Sequence, residues 1–283
     1  MGAVLVDGAG GPPVSNSILM ISGSRIAAAG PRTAFVIPQN TEEIDGSGKF
    51  VVPAPIGVYM RTGNSVTATA GGETLSAGVI TANTTPADAH RQMGEFGAAH
   101  RYIAVLDDVP RATEEAALEA GRRNQLPVFA QVSKLADAQR LVAAGAAGFV
   151  GMITDTGNID RAFVAKMRDL RVVWIPNLSH QPAASLEMAK RNTMQLASAG
   201  VPIAVCCLDG REMELLVETG MSPGDVIVAA TRIGASVVRK TADLGTLTPG
   251  KFADLWMLPK NPLEDVRNLH GPGIRKMRRG EWP

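Results

Sequence analysis

The sequence has few of the features that mark a secreted or membrane-bound protein. Its two cysteines, Cys206 and Cys207, are adjacent, and adjacent cysteines rarely pair because the disulfide strains the peptide between them. It has no apolar run of about 18 residues, and its N-terminal stretch lacks a basic start followed by an apolar core. We therefore expect a cytoplasmic protein without a disulfide framework, a signal peptide or a membrane-spanning helix.

An excess of charge of either sign is also missing. The 28 basic and 27 acidic residues give a formal net charge of +1, and they form no charged block. This balance argues against a nucleic-acid partner or a membrane surface. Aromatic residues make up 4% of the chain, against 30 glycines, so we expect a core of small and β-branched side chains.

Most of the chain alternates between strand-like and helix-like segments. The strand-like segments are residues 79–83, 102–106, 127–132, 148–153, 172–176 and 201–206. The helix-like segments are residues 86–96, 113–124, 135–144, 159–170, 185–199 and 211–219. Such alternation is typical of βαβ units with a parallel sheet, and it predicts a (β/α)8 TIM-like barrel.

This barrel is expected to be trimmed, because a full one needs about 250 residues. SVTATA (65–70) has the composition of a further strand, but whether the wall is complete between residues 60 and 100 stays open. Hairpin signals near the N-terminus and short strands near the C-terminus predict a small β-sandwich from residues 1–50 and 245–283. The barrel then takes residues 51–244.

Several segments carry a family resemblance because they occur in a fixed order along the chain. They include MISGSRIAAAGP (20–31), IDGSGKFVVPAPIG (44–57), GVPIAVCCLDG (200–210) and GTLTPGKFADL (245–255). Together they resemble the amidohydrolase superfamily, the imidazolonepropionase- and dihydroorotase-like metal-dependent hydrolases. The resemblance implies an α/β barrel with a small β-sandwich, and a divalent metal, typically zinc, at the C-terminal mouth of the barrel.

The positions to which the resemblance assigns metal ligands hold other residues. The resemblance assigns a His-x-His pair to Tyr59 and Arg61. It assigns a His after the fifth barrel strand to Gln131, and a His after the sixth to Gly151. It assigns an Asp to Leu208 (or to Asp209 after a one-residue slip) and a Lys to residues 103–104, where there is none. Zinc needs imidazole, thiolate or carboxylate ligands, and a guanidinium has no acceptor. We therefore predict no metal at these positions and no bound cofactor.

Three functional hypotheses follow. The first is a non-catalytic homologue that acts as a homo-oligomer or in a hetero-oligomer with a catalytic amidohydrolase. The second is a hydrolase of amide or cyclic amide C–N bonds. In one form Cys207 is the nucleophile, His180 is the base, and Asp209 orients His180. In the other form these three residues and Cys206 make up a rebuilt metal site. The alternative is that the two cysteines are buried and only pack in the core.

The third hypothesis is a protein that binds a small anionic ligand. Tyr59, Arg61 and Gln131 would hold the carboxylate where the metal is expected. The alternative for Arg61 is a structural ion pair. Asp107 and Asp108 lie at the same end of the predicted barrel, and we interpret them as loop or helix-capping residues.

Overall fold

The computed structural model describes residues 1–282. Its strands are β1 (Ala3–Leu5), β2 (Val14–Ser22), β3 (Arg25–Pro31), β4 (Phe50–Pro53), β5 (Gly57–Thr62), β6 (Ser65–Ala70), β7 (Glu73–Ser76), β8 (Gly78–Thr81), β9 (Ala104–Asp107), β10 (Val128–Gln131), β11 (Gly148–Val150), β12 (Val173–Ile175), β13 (Leu255–Leu258) and β14 (Arg275–Met277). Its α-helices are α1 (Pro86–Ala98), α2 (Arg111–Arg123), α3 (Leu135–Ala143), α4 (Arg161–Asp169), α5 (Ala183–Ser198), α6 (Arg211–Glu218), α7 (Pro223–Val228) and α8 (Gly234–Val237).

Strands β8 to β12 form the parallel sheet that the alternating pattern predicts. They lie in the order β12-β11-β10-β9-β8, so each strand pairs with the next along the chain. A helix follows each of β8 to β11, as the β/α repeat requires. The strands are short and mostly buried, because the sheet has apolar packing on both faces.

The wall continues past β12 through residues 203–206. Trp174 pairs in parallel with Ile203, and Val58 and Tyr59 of β5 donate backbone hydrogen bonds to Val205 and Cys206. The strand predicted over residues 201–206 is reduced to this bridge. The second residue of the predicted strand, Pro202, has no N–H to donate to a neighbouring strand.

An antiparallel meander replaces the helix expected after the first barrel strand. Strands β5, β6 and β7 form a three-stranded sheet in that order. Ala77 then donates to the carbonyl of Val66, and Gly78 to that of Ile103, so the chain passes directly from the meander into β8. The predicted strand over residues 65–70 is confirmed as β6, and a trimmed α/β barrel describes the arrangement.

Both ends of the chain combine in one mixed sheet of order β14-β13-β4-β1-β2-β3. Strand β4 pairs in parallel with β1 and antiparallel with β13, so it ties the N-terminal and C-terminal segments together. After β4 only three residues lead to β5 in the barrel. The predicted limits of the two domains stay a prediction, and the range 245–283 ends at Pro283, outside the described residues.

Alternate residues of the parallel strands belong to different apolar clusters, as the two-residue period of a strand requires. Val105, Phe129 and Ile175 pack together with Val58 and Cys206. Their chain neighbours pack against the helices instead. Among the described residues no helix is both long enough and apolar enough to cross a membrane.

The core on the helix side of the parallel sheet can be tested with one matched pair of substitutions. Leu141 of α3 is buried there, whereas Leu170 at the end of α4 is 58% exposed. Leu141→Ala is expected to lower the free energy of unfolding by about 2–5 kcal/mol. Leu170→Ala should change it by less than about 0.5 kcal/mol. Urea denaturation of both variants measures this, and equal effects would contradict the packing described.

Candidate functional site

The carboxyl ends of the barrel strands bring several polar side chains together. Tyr59 and Arg61 lie on β5, Asp107 ends β9, and Gln131 ends β10. Strands β9 and β10 are neighbours in parallel register, so Asp107 and Gln131 lie side by side. This end of a β/α barrel is where such folds place their functional residues.

These four side chains form one hydrogen-bonded network, which we call the mouth network. Nη2 of Arg61 lies 2.6 Å from Oδ2 of Asp107. Nε2 of Gln131 donates to Oδ1 of Asp107 at 2.8 Å and lies 3.2 Å from the Tyr59 hydroxyl. The three residues predicted to bind an anion are thus together, but their shared partner is the carboxylate of Asp107.

The charges in the mouth network satisfy one another. The hydrogen bond with Asp107 raises the pKa of Arg61, which stays a cation. Burial raises the pKa of Tyr59, which stays a neutral phenol. Both oxygens of Asp107 are occupied. Arg61 is therefore already paired with a carboxylate, and a free carboxylate ligand would have to displace Asp107.

The side chains at the positions that the resemblance assigns to metal ligands do not fit a divalent metal. Arg61 places a paired cation there. Gln131 donates its amide hydrogens to the network. Gly151 and Leu208 have no ligand atom. Asp209 accepts from the backbone N–H of Glu212 at 3.3 Å, at the start of α6. We therefore derive no chemistry through a metal at these positions.

A second group of side chains lies where β12 and residues 203–207 end. The Sγ atoms of Cys206 and Cys207 are 2.9 Å apart. Both side chains are buried, whereas His180 is exposed in the short turn after β12. Ligand atoms of these three residues all lie within 4.8 Å of one another. We call them the thiol–histidine cluster.

Ser179 bridges this cluster. Its Oγ lies 3.0 Å from Nδ1 of His180 and 3.9 Å from Sγ of Cys207. No hydrogen bond joins Asp209 to His180 among the described residues, so the structure brings together two members of the proposed nucleophile–base–orienter set but does not join the third to them. The hydrogen bond with Cys207, together with burial, raises the pKa of the Cys206 thiol.

Glu212 is the residue at this site that the sequence analysis missed. It has no exposed surface, and its carboxylate accepts from the backbone N–H groups of Leu178 and Ser179 at 3.0 and 2.8 Å. It thereby holds the turn that carries His180. The signal was present, because Glu212 lies on the same face of α6 as the buried Leu215 and Leu216. Burial raises its pKa.

Comparison with known proteins gives the fold but no close relative. No family model and no curated protein matches the chain. Solved structures do match: an amidohydrolase (14% identity, TM-score 0.81, covering 100% of this chain and 97% of that one), A. niger ochratoxinase (16%, 0.79, 99% and 93%) and a Xaa-Pro dipeptidase with bound methionine (14%, 0.78, 100% and 98%). At such identities the likeness shows the fold alone, and that fold is the one the resemblance predicts.

The buried state of Tyr59 can be tested by titration, because the chain has only two tyrosines. Burial raises the pKa of Tyr59 and of Tyr102, so native Tyr102→Phe protein should show its tyrosinate absorbance only above the usual value of about 10. In urea the midpoint should return to about 10. Stability should fall as pH rises above about 10, since only the unfolded phenol then ionises. A native midpoint at or below 10 would contradict the burial of the Tyr59 hydroxyl.

The pairing of Arg61 with Asp107 predicts how the protein responds to anions. Asp107→Asn removes the carboxylate, so inorganic phosphate should raise the melting temperature of this variant by binding Arg61, while leaving the wild type unchanged. Thermal denaturation with increasing phosphate measures the shift. Asp108→Asn, at the exposed neighbouring position with φ 49°, is the control. A shift equal in the wild type and in Asp107→Asn would mean that Arg61 is already free to bind anions.

Proposed function

We propose that this chain is an amidohydrolase-superfamily protein that carries out no metal-dependent hydrolysis at its barrel mouth. It acts instead by association, with copies of itself or with a catalytic relative. The observation that carries this proposal is the mouth network, in which the ion pair of Arg61 and Asp107 stands where the resemblance places a catalytic metal.

The positive charge of Arg61 opposes the binding of a metal at this position. A unit positive charge about 4 Å from a guanidinium is repelled by about 4 kcal/mol at the effective dielectric of a protein surface, and a divalent ion by about twice that. The carboxylate that would offset this repulsion already bonds Arg61 and Gln131. A metal would have to break that pair and would gain one carboxylate ligand in return.

The retained fold supports a role that does not need the metal. The chain is covered almost completely by proteins described as hydrolases, so the architecture persists while the residues at the expected ligand positions differ. Without a metal there is no bound water of low pKa to attack an amide. Association through the outer surface of the barrel uses the architecture and none of the lost chemistry.

A second candidate function is favoured by the thiol–histidine cluster. Cys207 and His180 are close enough to share a proton through Ser179, which suits hydrolysis of an amide or cyclic amide C–N bond by a thiolate. Two features weigh against it. Asp209 is engaged at α6, and the Cys207 side chain is buried, which limits the access of a substrate to its sulfur.

The proposal predicts no hydrolysis at the mouth with any metal. Wild-type protein and a Cys206→Ser/Cys207→Ser double variant would be assayed on Xaa-Pro dipeptides and on cyclic amides with Zn²⁺, Mn²⁺ or Co²⁺ added. Neither protein is expected to turn these substrates over. The double variant is the control, because its mouth network is intact and its thiols are gone.

The two ways of failing are distinguishable. Metal-dependent turnover by the double variant would overturn the proposal, because only the mouth remains there. Turnover by the wild type alone that persists without added metal and in the presence of a chelator would instead support the thiol mechanism. Light scattering tests the self-association form of the proposal, and a chain that stays monomeric at high concentration would leave association with a catalytic relative as the form to test.

A further inference from the structure

The thiol–histidine cluster has the donor set of a metal site and lies outside the positions that the resemblance assigns to the family's metal. His180 comes from the turn after β12, and Cys206 and Cys207 end the neighbouring wall segment. Two thiolates and one imidazole are ligands that zinc prefers. Among residues 1–282 it is the one group of at least three His, Cys, Asp or Glu residues found with mutually close ligand atoms.

The spacing of the donor atoms suits a single ion. All three ligand atoms lie within 4.8 Å of one another. In a tetrahedral site with Zn–S bonds of about 2.3 Å, two sulfurs lie roughly 3.8 Å apart. The sulfurs of Cys206 and Cys207, now 2.9 Å apart, would have to separate by less than the length of one bond. A rotation of one thiol about its Cα–Cβ bond would supply such a change.

Glu212 orders the turn that carries His180. It has no exposed surface, and it accepts hydrogen bonds from the backbone N–H groups of Leu178 and Ser179 at 3.0 and 2.8 Å. Leu178 and Ser179 directly precede His180 in this turn. A buried side chain thus fixes the backbone that presents the imidazole to the two thiols, as the surroundings of a metal site are expected to do.

We propose that His180, Cys206 and Cys207 bind one zinc ion, with the fourth coordination position open to solvent. Binding would release the two thiol protons to water. His180 is exposed while both cysteines are buried, so an ion can enter from the mouth side and bind the imidazole first. The hydroxyl of Ser179 lies within the cluster and can donate a hydrogen bond to a water at the fourth position.

The experiment uses Co²⁺ as a coloured probe for the zinc site, on full-length protein kept reduced so that the cysteines cannot form a disulfide. Wild-type protein is expected to bind one Co²⁺ per chain with thiolate-to-cobalt charge-transfer absorption, and Zn²⁺ should abolish that absorption by displacement. Cys207→Ser should weaken it, because one thiolate remains, and the Cys206→Ser/Cys207→Ser double variant should lose it. His180→Gln, at an exposed position that the fold tolerates, should weaken Co²⁺ binding by at least about tenfold.

The matched control is His90→Gln, since His90 lies on α1 outside the cluster. It should bind Co²⁺ as the wild type does. Absence of charge-transfer absorption at saturating Co²⁺, or equal binding by His180→Gln and His90→Gln, would overturn the proposal. Because His180→Gln is read out by binding and not by turnover, the result stands whether or not the protein hydrolyses anything.

The zinc site and the non-catalytic role proposed above can fail independently of each other. Zinc bound here without hydrolysis is compatible with both proposals. Zinc-dependent hydrolysis that His180→Gln abolishes would keep the zinc site and overturn the non-catalytic role. Hydrolysis by wild-type protein that binds no metal at the cysteines would overturn both.

Discussion

The pairing of β5 with residues 203–206 is the constraint on which the rest of this barrel depends. Every strand in a barrel wall needs a hydrogen-bonding neighbour on both sides, because an unpaired edge leaves buried N–H and C=O groups unsatisfied. Val58 and Tyr59 supply the bonds on one side of β5, and β6 supplies them on the other. A short antiparallel meander thus stands in place of the expected β/α unit, and Ala77, just before β8, joins it through one backbone hydrogen bond to Val66.

This pairing also brings the two polar clusters to adjacent positions. Strand β5 carries Tyr59 and Arg61, and the segment that it contacts carries Cys206 and Cys207. Gly57 makes the close approach possible. A Cβ there would lie 3.3 Å from both the carbonyl oxygen of Cys206 and the Cα of Cys207, which is tighter than ordinary van der Waals contact. A larger residue at this position would push the two strand ends apart.

Much of the architecture could be predicted from the sequence because it rests on local patterns. Alternating apolar runs and amphipathic segments gave the parallel sheet, and β-propensity alone identified β6. The family resemblance supplied the order of the barrel strands and the joining of the two chain ends, which β4 brings about. The sequence analysis did not predict that the last wall strand is shortened. The effect of Pro202 depends on whether a neighbouring strand would accept a hydrogen bond at that position, and the sequence does not show this.

The candidate site was harder to predict because its contacts join residues far apart in the chain. The family resemblance predicts Arg61 and Gln131 at the mouth, but no local pattern links Arg61 to Asp107, which the sequence analysis interprets as a loop or helix-capping residue. A contact between His180 and Cys207 is a hypothesis of the sequence analysis, because adjacent strands can bring the two residues together. Glu212 was not predicted as a site residue, because a charged residue in a helix is usually solvated. Only its place on the apolar face of α6 indicates that it is buried.

The paired wall has a consequence for how the chain folds. The β5–β6–β7 meander and the β/α units contain mostly local contacts, which form early, whereas β5 must meet a segment from the opposite end of the barrel sequence. We expect that closure to come last. Until it occurs, Cys206 and Cys207 have no strand beside them and remain open to solvent. The rate at which the two thiols become protected from a labelling reagent during refolding would therefore time the final step of barrel assembly.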